Sequence, residues 1–391
     1  MRVLFVTWAW RSHLYAMVPL AWAMRAAGHD VLVASQPALL PEIERTGLPG
    51  VAVGTDVDAA GMVRGYLLPS GAAGPGAAKP APRNGKGPRA LQMVLANAES
   101  MTADLVELAR GWGADLVVSE PTALAGPIAA AAAGVPAVRH LYGTDLMLRA
   151  RPLLPDALAP LAAAHGVSDV DPFGVATIDP TPASLQVPVD YQRIPVRYLA
   201  YGGAQARPAT ARRTAGRVCL TWGHTISEVA PERFLLPRVL SALAGSGLSV
   251  VAAVSTRQRA LLGDVDEGVE VVVDTAIDDV LPGCDLVVAH GGAGTVLTAV
   301  RNAVPMLLIP QLPDHTGHAG RVLATGAGEV LAADEASGER IREEALRLIS
   351  GDGPRTAVAA LAGEMRQAPA PAAVVARLEE LAMSKVDDRQ S

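Results

Sequence analysis

Residues 284–328 read CDLVVAHGGAGTVLTAVRNAVPMLLIPQLPDHTGHAGRVLATGAG. A short apolar run, residues 285–289, ends in His290-Gly291-Gly292-Ala293-Gly294-Thr295 and passes directly into a helical stretch. A second run, residues 306–309, ends in Pro310-Gln311-Leu312-Pro313-Asp314-His315 and again opens a helix. Buried strand, turn and helix in that order describe a parallel sheet with crossover helices. Glycines let a backbone approach a phosphate, and the free N–H groups of a helix start favour bound anions. His290 adds a side-chain donor and Thr295 a hydroxyl. A glycine turn of this kind also serves tight packing alone; the repeated strand end at 306–315 is what raises it above that.

Working outward, the same grammar fills the chain. Residues 2–7 read as a strand, 14–27 as a helix closed by Gly28, and 31–34 as the next strand. Residues 115–119 form a strand, followed by the Ala-rich helix 125–133, which ends at Gly134, and the extended stretch 136–140. A second series has strands at 217–221, 249–254, 269–273, 285–289 and 306–309. Between them, residues 201–216 carry Gly, Pro and Arg without apolar period and read as a linker. The division expected is therefore a first Rossmann-like domain over 1–201, a linker over 202–216, a second domain over 217–370 and a C-terminal helix over 371–391. Residues 68–88, rich in Gly, Ala and Pro, read as a surface loop.

With 391 residues, half of them apolar, two cores are affordable. The opening apolar run is too short for a bilayer span and lacks a signal peptide's charged start, so a cytoplasmic protein is expected. Two cysteines, Cys219 and Cys284, sit in strand-like runs and allow neither a disulfide framework nor a zinc site. The net charge of -6, without a Lys/Arg cluster, argues against nucleic acid and anionic membrane. A small-molecule ligand remains.

The sequence resembles the nucleotide-sugar glycosyltransferases of the GT-B fold, specifically the actinobacterial enzymes that decorate polyketide antibiotics with deoxysugars. The resemblance rests on Ser12-His13-Leu14, Val18-Pro19-Leu20-Ala21-Trp22-Ala23, Arg25-Ala26-Ala27-Gly28-His29, residues 34–39, residues 115–121 and the whole of 284–328. It implies an α/β fold of two Rossmann-like domains facing across a cleft, with donor on the second and acceptor on the first. It implies that His290, Gly292, Ala293, Gly294 and Thr295 hold the donor diphosphate, and that Asp314 and His315 face the sugar hydroxyls. Glucosyl-transferring relatives usually carry Gln where this chain has His315, which favours a deoxysugar on dTDP over UDP-glucose. The turn Thr221-Trp222-Gly223-His224-Thr225 resembles the family's other phosphate-contacting turn, through Gly223 and Thr225. Val272 and Val273 fall where relatives hold the base by backbone atoms. The resemblance also implies a C-terminal helix, residues 372–383, that crosses back to the first domain. Many relatives are homodimers and some need a helper protein, so the resemblance implies both as candidate partners.

Inverting glycosyl transfer needs a base for the acceptor hydroxyl, and histidine titrates nearest neutrality. His13 follows the first strand, at the carboxyl end where open α/β sheets bind ligands, and the resemblance makes it the general base. A helix cap is its bland reading. Glu120, at the end of the 115–119 strand, resembles the base-orienting carboxylate, with a cap on the following helix as the even alternative. Trp10, Tyr15, His140 and Tyr142 gather near the expected acceptor side, where an aromatic wall suits a planar polyketide; core packing accounts for each alone.

Three Asp-Val-Asp stretches, at Asp56, Asp169 and Asp264, read as solvated turns rather than metal sites. No metal and no cofactor is expected beyond a dTDP-sugar as co-substrate, with the helix end and His290 stabilising the leaving diphosphate. Two readings from other classes stay open: a nucleotide-sugar isomerase on the same fold, and a non-catalytic binding homologue, against which the pairing of His13 with Glu120 speaks. A macrolide acceptor is the near alternative to an aromatic one.

Overall fold

The structure, a computed structural model, describes residues 1–65, 67, 89–203 and 215–390, without the side chains of Arg89 and residues 385–390. The loop expected at 68–88 and most of the linker, residues 204–214, lie outside the described residues.

Two parallel sheets carry the fold. The first contains β1 (Arg2–Val6), β2 (Asp30–Ser35), β3 (Gly50–Ala52), β4 (Leu116–Ser119), β5 (Ala137–His140), β6 (Ala176–Asp179) and β7 (Arg193–Pro195), in the order β3-β2-β1-β4-β5-β6-β7. The second contains β8 (Arg217–Thr221), β9 (Ser249–Val254), β10 (Glu270–Val273), β11 (Leu286–Ala289), β12 (Met306–Leu308) and β13 (Gly328–Val330), in the order β10-β9-β8-β11-β12-β13. Central strands are apolar along their whole length because helices cover both faces; Val3, Leu4, Phe5 and Val6 are each fully buried, as are Leu286, Val287, Val288 and Ala289.

Each order reverses once. β1 pairs with both β2 and β4, and β8 with both β9 and β11. Right-handed crossovers then put the helices of one half on one face and those of the other half on the opposite face. A crevice is left at the carboxyl ends of β1 and β4, and another at those of β8 and β11.

The observed elements refine the expected ones. The first helix spans Arg11–Ala26, so His13 lies inside its first turn and not ahead of it. Its N-cap is Trp10, extended and without a side-chain cap, so no capping residue marked the start. β3, β6, β7 and β13 were not foreseen; each has only three or four residues, and β13 contains a glycine and a glutamate. The Ala-rich helix ends as its glycine requires, with Gly134 left-handed at φ 67°.

The C-terminal helix, Pro371–Gln390, lies against the first helix. Val374, Val375 and Leu378 share a buried cluster with Leu14, Met17, Val18 and the strands β1 and β2, and Glu379 Oε1 sits 2.9 Å from His29 Nε2. Leu378 is fully buried. Leu378→Ala is expected to cost about 2–5 kcal/mol by urea denaturation, whereas Arg377→Ala, which loses an exposed pair with Glu380, should cost under about 1 kcal/mol. Equal costs would mean that the helix is not held by its apolar face.

Candidate active site

The crevice of the first sheet is built around His13. Its Nδ1 lies 3.4 Å from Glu120 Oε2 and 3.4 Å from Thr122 Oγ1. Glu120, just past the end of β4, is fully buried and accepts from the Thr122 backbone N–H at 2.8 Å and from its hydroxyl at 2.8 Å. Trp8 Nε1 donates to Thr122 Oγ1 at 2.7 Å. The indole can only donate, and the single hydroxyl hydrogen of Thr122 points to the carboxylate. His13 Nδ1 therefore supplies the proton shared with this group, and in the neutral tautomer that arrangement selects, the lone pair is on Nε2. The ring is fixed by stacking on Tyr142, centroids 4.1 Å apart at 17°, and edge-on by Trp8 at 5.5 Å.

Trp10 joins the same aromatic group by stacking on Trp8 at 5.0 Å. Tyr15 does not. It packs edge-on against Tyr201 at 5.0 Å and donates its hydroxyl to Glu42. His140 also leaves the expected wall: it is buried, with Nδ1 2.8 Å from the Leu141 carbonyl, and burial pulls its pKa down to about 4. The sequence placed these residues near one strand end; which face each would take depends on the helix start at Arg11, for Tyr15, and on the strand register, for His140.

In the second crevice, β11 ends at Ala289 and the turn His290-Gly291-Gly292 leads into the helix Ala293–Arg301. Gly291 is left-handed at φ 91°, a conformation that side chains resist. Gly292 is an N-cap with no side chain to satisfy the following N–H groups, so those of Ala293, Gly294 and Thr295 open the helix unshielded. Gly223, at the end of β8, has φ 58° and lies flat against the His290 ring: a Cβ there would fall 2.7 Å from Nε2, and one on Gly292 only 2.4 Å away. Two glycines thus clamp the imidazole. Gln258 holds the Gly223 carbonyl with its side-chain amide, from a capping box with Ser255. That Ser-x-x-Gln signature was readable at residues 255–258.

His290 is buried, and burial, followed by the nearby His315, keeps it well below the ordinary histidine pKa. It offers an anion an N–H and no positive charge. Its Nδ1, like that of His315, is buried without a protein partner. Asp314, in the first turn of the helix Pro313–Thr325, is half exposed on the open side. His315 is turned inward instead, edge-on to His290 with centroids 4.5 Å apart. The resemblance gave His315 a place at the sugar beside Asp314; on the helix these two neighbours point about 100° apart. Thr225 begins a five-residue helix, and Val273 is exposed at the end of β10, beside Asp274.

The Asp-Val-Asp stretches are turns. Asp58 caps a helix by accepting from Gly61 N–H, Asp171 accepts from Phe173 N–H, and Asp266 from Gly268 N–H. Among the described residues, no group of three or more His, Cys, Asp or Glu side chains is placed to hold a metal, and no helix is long and apolar enough to cross a membrane.

Two doubly wound parallel sheets, one crevice with an oriented histidine and the other with a glycine turn at a bare helix start, define a GT-B glycosyltransferase. The chain belongs to the erythromycin biosynthesis protein CIII-like family of antibiotic glycosyltransferases, whose N-terminal and C-terminal domain models match residues 22–223 and 237–381. It is 35% identical over 418 residues to a 10-deoxymethynolide desosaminyltransferase of Streptomyces venezuelae, covering 98% of this chain and 97% of the relative. It is 35% identical over 425 residues to an aklavinone 7-beta-L-rhodosaminyltransferase of Streptomyces galilaeus, covering 97% and 96%. The solved structure of the glycosyltransferase VinC in complex with dTDP superposes with a TM-score of 0.78 at 31% identity, covering 98% of this chain and all of that one.

Five histidines, His140, His224, His290, His315 and His318, have their pKa values lowered by burial, His140 and His318 to about 4. Unfolded, they titrate near 6.5. The unfolded state then binds more protons below that pH, so stability is fully present above about pH 6.5 and is lost as pH falls toward 4. His140 and His318 each contribute on the order of 3 kcal/mol by pH 4. Asp179, whose carboxyl burial pushes up against the pull of Arg193, acts oppositely, one group against five. A steep fall in Tm between pH 7 and 4.5 is expected; a flat profile would mean that the histidines are reached by solvent and protonate in place.

Proposed function

We propose that the protein is an inverting, metal-independent glycosyltransferase that moves a deoxysugar from a dTDP donor to a hydroxyl of a polyketide aglycone. The observation that carries this reading is the His13 group: an imidazole whose Nδ1 lies 3.4 Å from both Glu120 Oε2 and Thr122 Oγ1, so that in the neutral ring Nδ1 carries the proton and Nε2 is left to accept one. In the reaction, the acceptor hydroxyl gives its proton to His13 Nε2 as its oxygen bonds to the anomeric carbon, and the bond from that carbon to the diphosphate oxygen breaks with inversion. Glu120 offsets the charge of the imidazolium that forms. The departing dTDP gathers negative charge at the start of the helix Ala293–Arg301, where the free N–H groups and the helix dipole receive it. Asp314 is positioned to accept from sugar hydroxyls. The dTDP specificity is supported by the dTDP held in VinC.

For the acceptor, Trp10 and Tyr142 in the aromatic group about His13 support a planar aromatic aglycone, as does the relative named for aklavinone. The relative named for 10-deoxymethynolide supports a macrolactone equally. A panel holding one aglycone of each kind, with TDP-L-rhamnose and related TDP-deoxysugars, separates the two.

TDP at ~100 times its dissociation constant should stabilise the protein by roughly 2.7 kcal/mol, visible as a thermal shift that chelator leaves unchanged and that GDP and NAD do not give. His13→Ala should lower kcat at least about 100-fold while keeping the TDP shift, and Glu120→Gln should lower it less. Full turnover by His13→Ala would remove His13 as the base. A shift abolished by chelator would restore a metal, and absence of any shift with TDP or UDP would remove the donor assignment.

A further inference from the structure

After β5 the first domain sends out the segment Leu141-Tyr142-Gly143-Thr144-Asp145-Leu146. Tyr142 stacks on His13. The next residue is seated on the second domain: a Cβ built on Gly143 would lie 2.7 Å from Ala293 Cβ and 3.2 Å from His318 Cε1. Ala293 is the first residue of the helix whose N–H groups face the donor crevice. Leu146 fills the corresponding space at Gly317, where a Cβ would meet its Cδ2 at 2.6 Å. The segment is thus wedged between two helices of the donor half.

Its first-domain anchorage is rigid. Asp145 makes a buried ion pair with Arg139 at 2.7 Å, accepts from Tyr191 Oη at 2.9 Å and donates its backbone N–H to Gln186 Oε1 at 2.9 Å. Arg321, from the helix Pro313–Thr325, donates to the carbonyls of Ser184, Leu185 and Gln186. The same short stretch therefore ties the segment to the donor half from behind.

We propose that Gly143 is a positioning residue that sets the separation between the His13 group and the donor sugar, by letting the segment that stacks on His13 close directly onto Ala293. This rests on the glycosyltransferase reading above. Gly143 has no positive φ, so the backbone itself accepts any residue. What excludes a side chain is the partner: Ala293 Cβ cannot rotate away, and relief must come from the two domains moving apart by something near 1 Å. A displacement of that size at the reacting atoms costs on the order of 100-fold in rate. Diphosphate binding, made by the second domain alone, is left intact. The contact at Gly317 differs because Leu146 can turn its branch aside.

The test is a double-variant cycle read by steady-state kinetics with TDP-L-rhamnose or whichever TDP-deoxysugar the wild type uses, and by TDP binding. Gly143→Ala should lower kcat roughly 10- to 100-fold with the Kd for TDP within about threefold of wild type. Ala293→Gly in the same chain removes the opposing Cβ, after which the nearest atom is His318 Cε1 at 3.2 Å, and should restore most of the lost turnover. Retained TDP binding shows that the variants are folded. A Gly143→Ala enzyme within twofold of wild type, or a double variant no better than the single one, overturns the proposal alone. A wild type that neither binds TDP nor turns over any TDP-sugar overturns the functional reading and this proposal together.

Discussion

Everything at the site depends on the reversal of strand order beside β1 and beside β8. Inside a parallel sheet, a helix normally follows each strand and closes over its carboxyl end. Where the order turns back, the chain leaves neighbouring strands toward opposite faces, and the strand ends stay open. The candidate site residues stand there in both halves. His13 follows β1 and Glu120 follows β4; Gly223 follows β8 and His290 follows β11. The pairs are neighbours only because β1 hydrogen-bonds β4, and β8 hydrogen-bonds β11, across more than sixty residues of sequence.

The two crevices use opposite means to the same end, which is order without ligand. The first is filled with directional side-chain bonds: an indole, a hydroxyl, a carboxylate and an imidazole satisfy one another so fully that one tautomer of His13 follows. The second is filled by leaving side chains out. Gly223 and Gly292 approach the His290 ring from two sides, and Gly143 reaches across from the other domain to Ala293. Removing Cβ atoms brings backbone N–H groups, the dipoles that an anion binds, to the surface of the crevice.

Much of this was legible in the sequence and some of it was not, for identifiable reasons. The strand-turn-helix passages at 284–295 and 306–315 announce both the parallel sheet and the glycine turn, since turn chemistry and apolar runs are local properties. His13 and Glu120 were legible by their place at strand ends. Thr122 was not, although it stands two residues from Glu120, because its part in the site depends on Trp8 arriving from β1. The short strands β3, β6, β7 and β13 had too few residues to show a period. Tyr15 was placed by proximity to the strand end and His315 by the resemblance; Tyr15 packs on Tyr201 and His315 edge-on to His290, because helix geometry, not adjacency, sets direction. Gly143 has no sequence signature at all, as its reason for being glycine lies on the other domain.

Electrostatics then divide the labour between the halves. His290, His315 and His318 lie together in the donor half, and burial keeps all three neutral. Such a cluster cannot attract a diphosphate by charge. Attraction falls to the start of the helix Ala293–Arg301, whose partial positive charge is fixed by the backbone and does not titrate. A dipole of this kind is already oriented before the reaction and does not reorganise as charge moves to the leaving oxygen. On the proposed mechanism the group that changes its protonation, His13, sits apart in the other domain with a carboxylate beside it. The fold thus keeps the His13 group and the glycine turn on separate sheets, each rigid in its own environment, with Gly143 and Arg321 among the contacts that join the two halves.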